Sequence, residues 1–153
     1  VQRDPRARAL VEGTAPPARS SPAPSTPKAG MVHATATVRG AVVLVQFKGL
    51  RLASAPNTRE HWTARASRSR DARALLAEAL QGITPPAGPW RVALTRSGPA
   101  LLDTDNLAAS FKALRDALAQ WLGCDDGPTA PVVWTYGQTR GGYGATVVLQ
   151  GRE

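Results

Sequence analysis

The sequence predicts an α/β (α+β) fold: a small mixed β-sheet of about four strands covered by two helices, in the order β-α-β-α-β-β. Three observations carry this. Short apolar runs occur around residues 42–47, 90–96, 131–136 and 143–149. Two longer stretches, 64–80 and 105–123, place leucine and alanine at helical spacing. Clusters of proline and glycine separate the segments and forbid their continuation.

The first strand spans residues 38–52, through Val42, Val43, Leu44, Val45 and Phe47, and Ser54-Ala55-Pro56-Asn57 breaks it into a loop. The first helix runs from about Ala64 to Leu80, with Ala72, Leu75, Leu76, Ala79, Leu80 and Ile83 on its buried face. Pro85-Pro86-Ala87-Gly88-Pro89 cannot extend that helix, because proline lacks the amide donor and clashes with the preceding turn. Trp90 to Arg96 is a strand alternating through Val92 and Leu94. The second helix starts near Asp105 and ends at Gly123, a residue suited to a left-handed cap. Its Leu107, Phe111, Leu114, Leu118, Trp121 and Leu122 fall within a stripe of roughly 100°, the core face. Two last strands, Pro131–Tyr136 and Tyr143–Leu149, flank Gln138-Thr139-Arg140-Gly141-Gly142, whose composition suits a hairpin turn.

A chain of 153 residues has room for one domain, taken here as residues 31–153. Residues 1–30 hold six of the thirteen prolines, no aromatic residue and no apolar periodicity, which is the composition of a disordered basic tail. The chain does not begin with Met, and Met31 stands where the composition turns globular, so the tail reads as a processed, truncated or unconventional start. No run approaches 18 apolar residues, and the tail lacks an apolar core of signal-peptide length, so a cytoplasmic protein without a membrane span is expected. The lone Cys124 excludes an internal disulfide, and the neighbouring Asp125 and Asp126 disfavour its thiolate. Formal charge is +8, of which the tail contributes +3 (five Lys/Arg, less Asp4 and Glu12). Such a balance favours a polyanionic partner, and nucleic acid fits better than a membrane surface because no basic helix carries bulky apolar anchors.

Against that basic background, five of the eleven acidic residues (Asp103, Asp105, Asp116, Asp125 and Asp126) gather within 24 positions. Asp105, Lys112 and Asp116 lie within about 40° of one another, opposite the core stripe. A purely structural account is available: Asp103 and Asp105 cap the helix, Lys112 and Asp116 form an i,i+4 pair, and Asp125-Asp126-Gly127 makes a turn. The functional account is a Mg²⁺ site, with Mn²⁺ as a substitute, since Asp103 at a strand end and Asp105 at a helix start can present hard oxygen ligands to one space. Asp125 or Asp126 would add a third only by a folded-back loop or from another subunit, because about 18 helical residues span roughly 27 Å. Asn106 either orients a ligand carboxylate or bonds the helix start.

Arg59, Arg65, Arg68, Arg70 and Arg73 crowd the loop and first turns of the first helix, as a phosphate-binding patch or a solvated face. Trp62 either packs in the core or stacks on an unpaired base. There is no P-loop and no G-x-G-x-x-G, the EF-hand pattern fails at Leu107 and Ala108, and one Cys with His33 and His61 makes a poor zinc set.

Asp103-x-Asp105-Asn106-Leu107, then Lys112-x-x-x-Asp116-Ala117-Leu118, then Asp125-Asp126, resembles the RusA family of Holliday junction resolvases, especially its phage-borne members. Pro56-Asn57-x-Arg59-Glu60-His61-Trp62, Trp134-x-Tyr136-Gly137-Gln138 and Tyr143-Gly144 extend the similarity over about residues 42–150. The resemblance implies a small α/β homodimer that binds branched DNA, namely four-way junctions, and nicks opposing strands with Mg²⁺ or Mn²⁺. It implies Asp103, Asp105 and Asp126 as metal-binding catalytic carboxylates and Lys112 as the catalytic lysine. Asn57, Arg59, Trp62, Arg65, Arg68 and Arg70 would contact DNA. Arg96 would join them, in place of the arginine the family often carries where this chain has Ala100-Leu101-Leu102. The expected function is therefore a metal-dependent, structure-selective DNA endonuclease. A non-catalytic DNA-binding module on the same fold and a flap or single-strand nuclease are the alternatives.

Overall fold

The computed structural model describes residues 32–53, 61–125 and 127–152. The expected tail, the loop residues Asn57 and Arg59, and Asp126 lie outside the described residues. Five strands and three helices follow in the order β1 (His33–Arg39), β2 (Val42–Lys48), α1 (Trp62–Ala79), β3 (Trp90–Gly98), α2 (Thr104–Ser110), α3 (Lys112–Leu122), β4 (Val132–Arg140) and β5 (Gly144–Gln150). The fold is the mixed α+β class that the sequence predicts, with one more strand and a different strand order.

The extra strand is β1. The sequence expectation ran a single strand from 38 to 52, but the chain reverses at Gly40-Ala41 and pairs Arg39 with Val42. Gly40 takes φ 56°, which a two-residue II′-type turn requires at its first central position. Ala34, Ala36 and Val38 alternate with Thr35 and Thr37, a period-2 signal weakened by the small size of alanine.

The sheet order is β1-β2-β5-β3-β4. All neighbours are antiparallel except β3 and β4, which run parallel from Trp90↔Val132 to Gly98↔Arg140. The expected hairpin between the last two strands is therefore absent. β5 inserts between β2 and β3, and residues 141–143 carry the chain past the end of β3. That crossing is tied down by Gly141 N–H donating to Gly98 O (3.1 Å) and Ser97 Oγ donating to Gly142 O (2.6 Å). β5 belongs in the middle because Ala145, Val147 and Leu149 are all buried, a burial that an edge strand beside β4 would not give.

One face of the sheet carries the core. In register, Val43, Leu149 and Val92 form one inward row, and Val45, Val147 and Leu94 the next. Leu76 and Leu80 of α1 and Leu107, Phe111, Leu114, Leu118 and Leu122 of the α2–α3 stretch join the same apolar cluster. These are the helix faces that the sequence predicts, with Trp121 half-buried at the margin. On the opposite face, Thr37, Leu44, Val148, Ala93 and Thr135 form one row, and Thr35, Gln46, Thr146, Thr95 and Gly137 another. Among the described residues no helix covers that second face.

The helix boundaries shift modestly. α1 begins at Trp62, where His61 Nδ1 accepts from Thr63 N (3.4 Å) and sits 2.7 Å from Thr63 Oγ1. The expected single second helix is interrupted at Phe111. Ser110 Oγ donates to Leu107 O (2.7 Å), and Phe111 N–H donates to Ala108 O (3.2 Å), so the turn tightens there. Gly123 ends α3 at φ 69°, and the amides of Gly123 and Cys124 donate to Gln120 O and Ala119 O in a Schellman pattern.

Candidate active site

Register places Lys48, Gly144, Ser97 and Thr139 side by side, so the carboxyl ends of β2, β3 and β4 share one end of the sheet. The segments leaving β2 and β3 lead to α1 and α2, and the one leaving β4 turns back into β5. In folds with parallel strands this end is where ligands collect, because the connecting loops and helix starts open there.

Asp103 sits at this end as the N-cap of α2. Its Oδ1 accepts from Asn106 N (2.9 Å) and its Oδ2 from Asn106 Nδ2 (2.8 Å). The capping role of Asp103 and the helix-start role of Asn106 are thus both realised, and the two bonds fix the carboxylate's orientation. Asp105 follows in the first turn with an exposed side chain.

The loop holding Asp103 is clamped from two adjacent strands. Gln138 of β4 accepts from Leu102 N (2.9 Å) and donates to Leu102 O (2.7 Å). Arg96 of β3, its register partner, donates from Nη1 to Ala100 O (2.9 Å) and from Nε to Leu52 O (3.0 Å). Arg96 is only 5% exposed, so the guanidinium expected at DNA is turned into the protein. A Cβ at position 98 would lie 2.8 Å from Arg96 Nη2, so Gly98 leaves the room the guanidinium occupies. The sequence reading missed the clamping role of Gln138. Its signal is a polar residue in an inward register position beside Arg96.

Lys112 and the later acids form a separate group. Lys112 Nζ lies 3.1 and 3.3 Å from the two Asp116 oxygens, the i,i+4 pair of the structural account, and its side chain is 75% exposed. Arg73 of α1 also reaches Asp116 (Nη2 to Oδ2, 3.4 Å). Lys112, Asp116, Gln120, Cys124 and Asp125 line one groove along α3 that does not include Asp103 or Asp105. Seven residues from Asp105 to Lys112 correspond to roughly 10 Å of helix, and twenty from Asp105 to Asp125 to roughly 30 Å. Among the described residues no group of three or more His, Cys, Asp or Glu side chains is placed to hold a metal ion.

The basic residues of α1 divide between two sides. Arg65 and Arg68 line a cleft with Arg51, Leu52 and Ser110, whereas Trp62, Arg70 and Arg73 line another. Trp62 is 72% exposed, which decides its surface placement, and its ring lies 5.8 Å from that of His61. Residues 61–67 are exposed throughout, so α1 projects its first turns beyond the core. Further cationic groups rest on aromatic faces at 5.6 Å, Arg51 over Tyr143 and Arg115 over Trp134.

The donor set tests whether a divalent cation fits. Asp103 and Asp105 supply hard oxygens two residues apart, and Asp103 keeps lone-pair capacity beyond its two accepted bonds. Mg²⁺ is commonly held by one or two carboxylates, with waters and phosphate oxygens completing the shell. Two carboxylates meet the minimum of that description and leave the rest of the shell to waters or other oxygens. No protein-family model matches the chain, and no curated protein matches it in sequence.

Proposed function

We propose that the chain is a metal-dependent endonuclease acting on branched DNA, as the RusA-like motifs suggest, working as a homodimer. The observation that supports this best is the loop leading to Asp103, held at the carboxyl ends of the parallel strands through Ala100 and Leu102 by Arg96 and Gln138, with Asp105 in the helical turn that follows. Asp103 and Asp105 would hold Mg²⁺ or Mn²⁺, which when bound supplies Lewis-acid charge and a water of lowered pKa. Asn106 holds the Asp103 carboxylate, and the clamps fix the loop. Arg65 and Arg70, with exposed Trp62, offer phosphate contacts and a stacking surface on the projecting start of α1. Arg96 is reassigned from DNA contact to positioning residue. Lys112, salt-bridged to Asp116 and roughly two turns from Asp105, would serve DNA along the α3 ridge.

Incubation of a labelled four-way junction with Mg²⁺, Mn²⁺ or EDTA tests this, beside flap and linear duplex controls. Paired, metal-dependent nicks that fall by about 10²–10³ in Asp105→Asn are the expected result. Preference for flap or single-stranded DNA would move the substrate class and leave the metal site intact.

A second reading has its own observation. Both Asp103 oxygens already bond Asn106, and no third acid among the described residues joins them. That suits a DNA-binding module in which the acids only cap a helix. Junction binding that survives EDTA, with no cutting in any metal, would establish this reading over the first.

A further inference from the structure

α1 sorts its charges by side. Arg70 and Arg73 line a cleft with Trp62, whereas the helix's two acids, Asp71 and Glu78, line a groove of about 550 Å³ on its other side. Asp71, Leu75 and Glu78 fall at i, i+4 and i+7, so they share one helix face. Among the described residues neither acid pairs with a cation. The apolar lining of the groove comes from buried Leu50, half-buried Leu75 and Val32, the last 44% exposed. Its volume lies in the roughly 300–1,000 Å³ range of clefts that hold ligands. Val32 is also where the described residues begin. Consecutive Cα atoms are about 3.8 Å apart, so the chain that precedes Val32 must start from this groove.

We propose that this groove is a docking site for the chain's own Pro27–Met31 segment, with Met31 on Leu50 and Leu75 and Lys28 between Asp71 and Glu78. The segment Pro27-Lys28-Ala29-Gly30-Met31 offers one bulky apolar side chain and one cation, the two chemistries that the groove presents. Five extended residues reach roughly 17 Å, and Asp71 and Glu78 stand roughly 10 Å apart along the helix, so Lys28 is within range of both. No acid occurs between Glu12 and Val32, so the neighbouring tail adds no repulsion. Exposed ion pairs contribute little by themselves. The tether makes the difference, because an intramolecular segment binds at an effective concentration of about millimolar. Nucleic acid is a poor occupant, since both acids repel phosphate. A second copy is disfavoured by the +8 that each chain carries. The inference rests on the groove and the segment beside it, and holds whether or not the chain cuts DNA.

Met31 is the only methionine, so a carbon-13 label in its ε-methyl gives a single NMR signal from the full chain. The expected signal lies away from the random-coil position and shows nuclear Overhauser contacts to the methyls of Leu50 and Leu75. It is expected to stay there over about a twentyfold dilution, because a tether's effective concentration does not depend on the amount of protein. Lys28→Glu is expected to lower the docking equilibrium about fivefold, and adding Glu78→Lys to recover most of that loss. Lys28 precedes β1 and Glu78 is exposed, so both variants leave the core intact. A random-coil signal without those contacts overturns the proposal. So does a signal that returns to random coil on dilution, which would give the groove to a second copy. A wild-type signal that Lys28→Glu does not move overturns it as well.

Discussion

Arg96 shows how little a residue's type says about its place. An arginine on a basic chain reads as a phosphate contact, yet its guanidinium holds Leu52 O and Ala100 O under the loop that carries Asp103. Arg96→Leu leaves the buried Leu52 carbonyl and the part-buried Ala100 carbonyl without their donor, so urea unfolding is expected to show a loss of about 1–3 kcal/mol. A surface DNA contact would instead lower affinity at constant stability. Asp103 admits a cleaner separation of roles. Asparagine caps a helix about as well as aspartate, whereas alanine costs about 1 kcal/mol. Asp103→Asn is therefore expected to keep the melting temperature while losing metal-dependent cutting, and Asp103→Ala to lose both. Equal cutting by Asp103→Asn and wild type would reduce Asp103 to a cap. The cap was readable from the sequence because it depends on neighbours three residues away. The burial of Arg96 was not, because it depends on the far-off Leu52 segment.

Among the elements, α3 and α1 carry opposite lessons. The end of α3 is written in its own residues: Gly123 adopts φ 69° and lets the amides of Gly123 and Cys124 close on Gln120 O and Ala119 O. Gly123→Ala places a Cβ in the left-handed region and is expected to cost about 1 kcal/mol in chemical denaturation. Among the described residues the start of α1 is exposed on all sides, which leaves its basic side chains within reach of a partner. If that partner is DNA, Arg65→Ala with Arg70→Ala lowers the slope of log K against log salt by about 2, measured by fluorescence anisotropy on a junction. An unchanged slope would remove these arginines from the interface. The interruption at Phe111 escaped the periodicity because the core stripe passes through it unbroken: Leu107, Phe111 and Leu114 are all buried.

For the molecule as a whole, the position of β5 decides most. It joins the β1–β2 hairpin to the β3–β4 parallel pair, and without it the sheet has no continuous centre. Gly144 permits the entry, since a Cβ there would stand 2.7 Å from Phe47 O. Gly144→Val is expected to destabilise the fold by about 1–3 kcal/mol, read from urea unfolding, because the opposing atom is backbone and moves only with the strand. The same topology turns one sheet face toward the helices, and among the described residues no helix covers the other. Among the described residues no helix is long and apolar enough to cross a membrane, which agrees with the lack of long apolar runs.

Local physics lies behind everything the sequence determined by itself: the mixed α+β class, the two helical stretches and their buried stripes, the Gly123 stop, and the Lys112–Asp116 pair. Each follows from periodicity or capping within a few residues, which the chain states directly. Tertiary structure alone decided that β5 lies between β2 and β3, that Arg96 faces inward, and that the Leu102 backbone beside Asp103 is clamped by Gln138 while Lys112 and Asp125 belong to another groove. Those outcomes depend on strands paired across tens of residues and on which sheet face the helices cover. Alternation along a strand fixes two faces but not which neighbour each strand will find.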